Sequence, residues 1–458
     1  MTGTFSSFNT SLSALRYQRV AMDVASGNIA NASTEGYVRR RAEAEALGAP
    51  AQLAMWSRYD GAGDGVTASG ITRMADPLMD ARSRREHGTQ SYLDARVAVL
   101  TRVESALGEP GGSGVSAAMN EFRNAWQDLE SNPDSGAARS QVLATGSSLA
   151  EALRTQAGHV TSELSDQRAH LLDVVHEVNS VAHDLATVNK SIAMAGPGVD
   201  DSDLRDQRDV LALRLSELTG GVSTVRPDGG IDVTVAGQPL VTGKDAVELT
   251  VTGGVAADGS DDGQPLALAV GGTAVTPGAI GGEAGAVGEL LTTTLPAFRS
   301  GLDQVAKLLA DSVNSLHTTG YDQDGNAGTP FFSYDPAGAA SSLTVAITDP
   351  REVAASSQPG GVLDVGIAAS LGDLKVADTA YQRVVSGLGT EVASTKRLAT
   401  TQGLLTAQVD STREQLTGVN LDEETVNLMA AQRAYEAAAR VMSTFDSMLD
   451  TLINRTGA

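Results

Sequence analysis

Cysteine is absent from the 458 residues. A disulfide framework is therefore excluded, and any stability outside the cell has to come from packing or assembly. Aromatic residues are almost as scarce, at 4% against 41% hydrophobic residues in all. The cores must then be built mainly from Ala, Val and Leu, a composition suited to long helices packed side by side. No stretch approaches the roughly 18 apolar residues of a membrane span. The segment from Met1 to Leu15 has neither a basic nor an apolar signal region, its first basic residue being Arg16. A cleaved secretory signal is not expected, so the chain either stays in the cytoplasm or leaves by another route. Positive charge is short as well. Lysine and arginine number 33 against 56 acidic residues, a formal net charge of -23, and lysine occurs only at positions 190, 244, 307, 375 and 396. Such a surface repels nucleic acid and anionic lipid, so neither is expected as a partner. Partners have to meet the chain through apolar seams, or at enough salt to screen the repulsion.

What is present is helical periodicity at both ends. Phe8, Leu15, Met22 and Ile29 recur every seven residues, with Phe5 and Leu12 interleaved, which makes one narrow apolar seam of the coiled-coil kind. Turn formers from Asn31 to Gly36 stop it. The last segment repeats the device: Leu421, Leu428, Tyr435, Met442 and Leu449 form one heptad series, and Ala431, Ala438, Phe445 and Leu452 the second. Asn420 is placed to cap this helix, with Glu423 completing a capping-box pattern and Asp422 and Glu424 in the first turn. Each helix would be about 45 Å long. Neither can hide its seam alone, and the obvious partner of each is the other.

Between the ends, residues 37–80 read as irregular, with strand-like pieces near Gly65 and Ile71. Helical periodicity resumes near Ser91 and runs to about Gly196, clearest at Leu164, Leu171, Val178, Leu185 and Ile192. A return helix carries Leu204, Leu211 and Leu218, so the two read as a helical hairpin. From 220 to 282 the composition turns to Gly, Val, Thr and Asp. There the turn Pro227-Asp-Gly-Gly230 precedes the alternating Ile231-Asp-Val-Thr-Val235. Helix returns over 290–316, a strand pair is expected near 331–347, and helices run from about Lys375 onward. The fold class is mainly α with an inserted β module, in nested discontinuous domains. Residues 1–36 with 419–458 form a terminal helical assembly domain with a coiled-coil-like layer. Residues 37–219 with 283–418 form a long helical bundle, and 220–282 a small outer β domain.

The segment Asn28-Ile-Ala-Asn-Ala-Ser-Thr-Glu-Gly-Tyr37 resembles the motif after the first helix of the axial proteins of the bacterial flagellum. The ending from Gly418 to Asn454, with Gln432-Arg-Ala-Tyr435 inside it, is similar to their common last helix. Leu204-Arg-Asp-Gln-Arg-Asp209, Gly281-Gly-Glu283, Gly320-Tyr-Asp322, Phe331-Phe332 and Gly418-Val-Asn-Leu-Asp-Glu-Glu424 narrow the resemblance to the FlgK-type hook-associated branch. The residues that carry it are Asn28, Asn31, Gly36, Tyr37, Asp206, Gln207, Arg208, Asp209, Asn420, Glu423 and Gln432. The β module is shorter than the outer domain relatives often carry. The resemblance implies a structural subunit at the hook–filament junction, extracellular, exported by the flagellum's own apparatus without a cleaved signal. It implies as partners the hook protein, a second junction protein, copies of itself in a ring, and an export chaperone. It also makes the terminal seams contacts between subunits.

No catalytic residue, cofactor or metal site is expected. His176 and His183 are seven apart, where two zinc ligands on one helix face need a spacing of four. Asp322-Gln-Asp-Gly-Asn326 begins like a calcium loop, but Ala327 and Ser333 stand where glycine and glutamate are required, so a plain turn is expected. Asp206 and Asp209 beside Arg205 and Arg208 read as salt-bridge formers rather than a catalytic pair. The rival readings are another axial protein (hook, rod or second junction protein) and a cell-wall hydrolase linked to the rod. The latter needs an acid pair in a cleft-forming domain, and no segment offers one.

Overall fold

The computed structural model of the chain describes residues 2–47, 65–109, 111–112, 114–196, 199–361 and 363–455, with side chains described between 8 and 451. It is mainly helical with small antiparallel sheets. Helix α1 (Thr2–Ala30) leads into a hairpin of β1 (Arg40–Ala46) and β2 (Val66–Arg73), and α2 (Pro77–Leu107), α3 (Val115–Ser131) and α4 (Gly136–Met194) follow. The stretch from 91 to 196, expected as one helical run, is thus three helices. Gly108 ends α2 in the left-handed conformation at φ 64°, and Asn132 ends α3 before Ser135 caps α4. The stretch from 37 to 80 is more regular than expected, since it holds the β1–β2 hairpin and the start of α2. That start has Asp76 accepting from Leu78 and Met79 and Pro77 in the first helical turn.

After α5 (Ser202–Thr219) come two antiparallel sheets. One runs β3 (Val222–Val225), β4 (Ile231–Val235), β5 (Gln238–Thr242) and β6 (Asp245–Ala246); the other runs β7 (Leu249–Gly253), β8 (Ala267–Val270) and β9 (Thr273–Val275). In β4 Ile231, Val233 and Val235 are buried while Asp232 and Thr234 are half-buried, the period-two pattern of a strand with one covered face. The chain continues through α6 (Gly282–Glu289), one π turn, and α7 (Leu295–His317). It then passes β10 (Phe332–Ser333), α8 (Ala339–Ser342) and β11 (Thr344–Val345). It ends in α9 (Gly366–Gly372), α10 (Val376–Thr417) and α11 (Leu421–Arg455).

Two cores share α4, which at 59 residues spans about 90 Å. Its first half packs with α2, α3, α7, α9 and α10 around the ring cluster Phe122, Trp126, Phe331 and Phe332, with Trp126 fully buried. Its second half, from Leu171 to Ala186, packs with α5, α6 and the sheets. The β segment therefore shares its core with the helical hairpin. Ile231, Leu240 and Leu268 meet Leu185 and Leu215 in one apolar cluster. Helices α1 and α11 lie along each other, apart from both cores.

Candidate functional site

The two ends of the chain come together with the body at a knot of polar side chains centred on Asn28, in the last turn of α1. Asn28 is fully buried. Its amide nitrogen donates to the Arg40 carbonyl (2.9 Å) and to Glu424 Oε2 (3.0 Å). Its oxygen accepts from the Arg40 amide (3.0 Å) and the Tyr37 hydroxyl (2.9 Å). One side chain thus holds α1, the start of β1 and the first turn of α11. Arg39 binds the same turn from the other side, with Nε on Glu424 (2.8 Å) and Nη2 on Glu423 (2.8 Å). Its backbone amide donates to the Thr417 carbonyl at the end of α10 (2.9 Å), and its carbonyl accepts from Met74. Burial pushes the Tyr37 hydroxyl pKa up, with Arg40 opposing, so the hydroxyl stays a donor at neutral pH.

The knot continues into the body. The β1–β2 register sets Arg40 opposite Arg73, a pairing of like charges that would oppose the hairpin if left alone. Asp206 of α5 answers it, taking Arg40 on Oδ2 (2.9 Å) and Arg73 on Oδ1 (2.6 Å). Arg73 reaches on to Asp209 (2.9 Å), Asp209 to Arg208 (2.7 Å), and Arg208 donates to the Gly229 carbonyl in the turn between β3 and β4. Arg40 also pairs with Asp203, and its guanidinium lies 4.8 Å from the Tyr37 ring centroid. An unbroken chain of hydrogen bonds and ion pairs therefore runs from the terminal helices through the hairpin to the β3–β6 sheet. Packing backs it. Gly36 has φ +76°, and a Cβ there would fall 2.3 Å from Val210 Cγ2, so only glycine lets the loop lie against α5. Nothing in this arrangement offers a nucleophile beside a base. It is built to hold orientation, and ion pairs this well buried set geometry more than they add net stability.

Asn28, Gly36, Tyr37, Asp206, Arg208 and Asp209, picked out from the sequence, all join this network. Asn31 stays local, donating to the Gly27 carbonyl and accepting from Thr34. Gln207 is exposed, on a groove of about 650 Å3 shared with Tyr37 and Asp203, and Gln432 is exposed on α11. Asn420 caps α11 by accepting from the amides of Asp422 and Glu423. Glu423 departs from the capping-box expectation: its carboxylate goes to Arg39, a charged donor more rewarding than the cap's own amide. The sequence reading missed Arg39, Arg40 and Arg73, and gave Glu424 only a place in the first turn of the last helix. The signal was there in Arg39-Arg40-Arg41, three arginines in a row in an acidic chain, one residue after the motif.

The expected seam residues line the contact between α1 and α11 without filling it. Phe8, Leu12, Leu15, Met22, Ile29, Leu428, Met442, Phe445 and Leu449 are half-buried, while Leu421 and Tyr435 are exposed. Phe5 and the side chain of Leu452 lie outside the described residues. Among the described residues the buried apolar positions of the pair are Ala25 and Ala431, both near the knot. His176 and His183 are exposed on α4, and Asp322 closes its own turn by accepting from the amides of Asp324 and Asn326. No group of side chains suited to holding a metal ion occurs among the described residues, nor does a helix long and apolar enough to cross a membrane.

Comparison with known proteins follows the same anatomy. The family described as flagellar hook-associated protein FlgK helical domain matches residues 100–332, more than half of the chain. The flagella basal body rod protein family matches residues 8–37, and the C-terminal family of the FlgEFG rod proteins matches 415–455. These two segments are the ones that meet at the knot. Flagellar hook-associated protein 1 of Bacillus subtilis is 29% identical over 100% of this chain and 99% of its own length. The protein of that name from Escherichia coli K12 is 24% identical over 97% and 99%. The solved flagellar hook junction protein FlgK of Burkholderia pseudomallei shares the fold with a TM-score of 0.65 at 15% identity, covering 74% of this chain and 100% of that one. The chain belongs to the FlgK family of flagellar hook-associated proteins.

Proposed function

We propose that this chain is the structural subunit that joins hook to filament in the bacterial flagellum and on which filament assembly depends. The observation that carries the proposal is the half-covered seam. Helices α1 and α11 pair, yet apart from Ala25 and Ala431 their described apolar seam stays at least partly open, and α11 turns a second apolar row outward. That row has Val426, Val441 and Met448 at 64%, 45% and 51% exposure, with the exposed Ala430 and Ala437 between them. The spacing keeps all five on one helix face; Ala430 borders a groove it shares with Ala21 and Val24 of α1, while Val426, Val441 and Met448 stay open. A surface of this kind is incomplete without neighbours, and repeating one heterologous contact with a fixed rotation builds a ring or helix.

The terminal pair, residues 1–36 with 419–458, acts as the inner assembly domain. The body, 37–219 with 283–418, fixes its direction through the Asn28 knot, and 220–282 faces outward. One end of the ring meets the hook protein and the other a second junction protein, after export without a cleaved signal and handling by an export chaperone. The role is mechanical and uses no catalytic step or cofactor. Cells lacking the protein are expected to stop at bare hooks, with filament subunits lost to the medium, when examined by electron microscopy. Normal filaments on such cells would overturn the proposal.

A further inference from the structure

Beside the knot, and sharing Arg73, Arg208 and Asp209 with it, a cavity of about 380 Å3 lies where β2, the opening turns of α2 and α5, and β3 meet. Its walls carry four arginines, Arg73, Arg84, Arg205 and Arg208, against three carboxylates, Asp80, Asp201 and Asp209. Most of these charges are already committed. Arg205 binds Asp201 (2.8 Å), Arg208 binds Asp209, Arg73 is shared by Asp206 and Asp209, and Asp80 is taken by Arg413 (2.6 Å). Arg84 is what remains. It is 5% exposed, and its contact with Asp209 is long at 3.8 Å, to a carboxylate that two other arginines already hold. Its Nε has no hydrogen-bond partner among the described residues. A buried guanidinium left partly unanswered is a costly arrangement for a fold to keep.

We propose that this cavity is an oxyanion site, taking a phosphate- or carboxylate-sized group with Arg84 as its principal donor. The planar fork of a guanidinium matches two oxygens of such a group, and neighbouring arginines add to the attraction. The first turn of α5 lines the same space, but its Ser202 amide is already held by the Asp200 carboxylate (3.0 Å), so the site rests on the arginines rather than on the helix end. Burial lowers the pKa of Arg84, and the carboxylates of Asp209 and Asp80 do not restore it while Arg208 and Arg413 push the same way. The net acidity of the whole chain does not decide the matter, because charges beyond a Debye length of about 8 Å are screened at physiological salt.

The oxyanion has two sources, inorganic phosphate in solution or an acidic side chain of a second copy. Equilibrium dialysis of the full chain against labelled inorganic phosphate at constant ionic strength tests the site itself. Saturable binding of one phosphate per chain is expected, weakened about tenfold or more in Arg84→Met. Arg84→Met removes an ill-paired buried charge and should fold in chloride buffer, which its melting curve checks. Arg205→Gln, at a half-exposed position, gives a milder second variant that should weaken binding. The exposed neighbour Arg85→Gln should leave binding unchanged. No binding above a chloride control, or equal binding by Arg84→Met and wild type, would overturn the site. Sedimentation with and without phosphate then separates the sources. Self-association weakened by phosphate assigns the site to a neighbour's carboxylate, and unchanged self-association assigns it to the free ion.

Discussion

Asn28 uses every hydrogen-bonding capacity of its side chain, two donors and two acceptors, inside a site closed to water. Asn28→Ala would strip partners from the Arg40 amide and carbonyl, the Tyr37 hydroxyl and Glu424 together. Buried groups left unsatisfied cost about 1–3 kcal/mol each, offset in part where Tyr37 and Glu424 can turn to water. The expected result is faster hydrogen exchange at the Arg40 amide and early proteolytic cleavage between 31 and 39, with the body's core protection unchanged. The exposed Gln432→Ala is the control. Gly36 poses a different constraint, since two penalties act at one atom. Gly36→Ala meets Val210 Cγ2 at 2.3 Å and also holds alanine at φ +76°, the conformation worth about 1–2 kcal/mol by itself. Adding Val210→Ala should recover the steric part and leave the conformational part. A double-mutant cycle on thermal stability reads this directly, and full recovery or none would refute the division.

Helices declare themselves in sequence when one face is apolar, and that explains which elements were legible here. The heptads of α1 and α11 and the turn before β4 were readable from side chains alone. The first half of α2 was not, because the residues it buries are Asp80, Ser83, Arg84 and Gly88, a polar face that answers α5 and α10 rather than an oily core. Nor was β1, whose Arg-Arg-Ala-Glu-Ala-Glu-Ala is mostly exposed and gains its order from pairing with β2. The knot itself escaped for the same reason, since Arg73 and Asp206 are 133 positions apart. On that polar face of α2, His87 ties three helices, with Nδ1 3.4 Å from Glu217 of α5 and Nε2 2.9 Å from Asp410 of α10. Glu217 also meets Arg214, and Asp410 accepts from Ser83. The bond to Glu217 raises the His87 pKa, with burial opposing and Asp410 assisting, and the same bond lowers that of Glu217. The raised histidine stabilises the fold fully below its unfolded pKa of about 6.5, and that contribution fades as pH climbs through the folded value. The depressed Glu217 contributes above about 4.3 and is lost on acidification through its folded value. The stability gap between wild type and His87→Gln should therefore be wide just below the unfolded histidine pKa of about 6.5 and shrink as pH rises past it in melting curves. A gap that widens with pH would show that the tie is not carried by the proton.

At the scale of the whole molecule, the proposed function gives the knot the task of holding a direction and the seam that of meeting neighbours. Two rows on α11 separate these roles. Leu428 and Met442 are half-buried toward α1, so Leu428→Asp or Met442→Asp puts a carboxylate into the pair itself, at several kcal/mol if buried unpaired. Val441 and Met448 face away and are about half exposed, so Val441→Asp leaves the α1–α11 contact intact and charges only the outward row. Both cores lie elsewhere, around α4, so each variant should fold and be exported. If the outward row is the contact between copies, Val441→Asp should stop assembly as completely as Leu428→Asp, leaving bare hooks and mutant protein in the medium. If the pair only needs to form within each copy, Leu428→Asp should fail and Val441→Asp should build normal filaments. Glu436→Gln, exposed on α11 and only 3.9 Å from Arg440, is the neutral control and should swim normally. Electron microscopy of the cells with a blot of the medium reads all four strains together. We expect both aspartate rows to fail, because a half-covered pair anchored at one end has its remaining apolar surface left for neighbours alone; normal filaments on Leu428→Asp would remove the seam from assembly altogether.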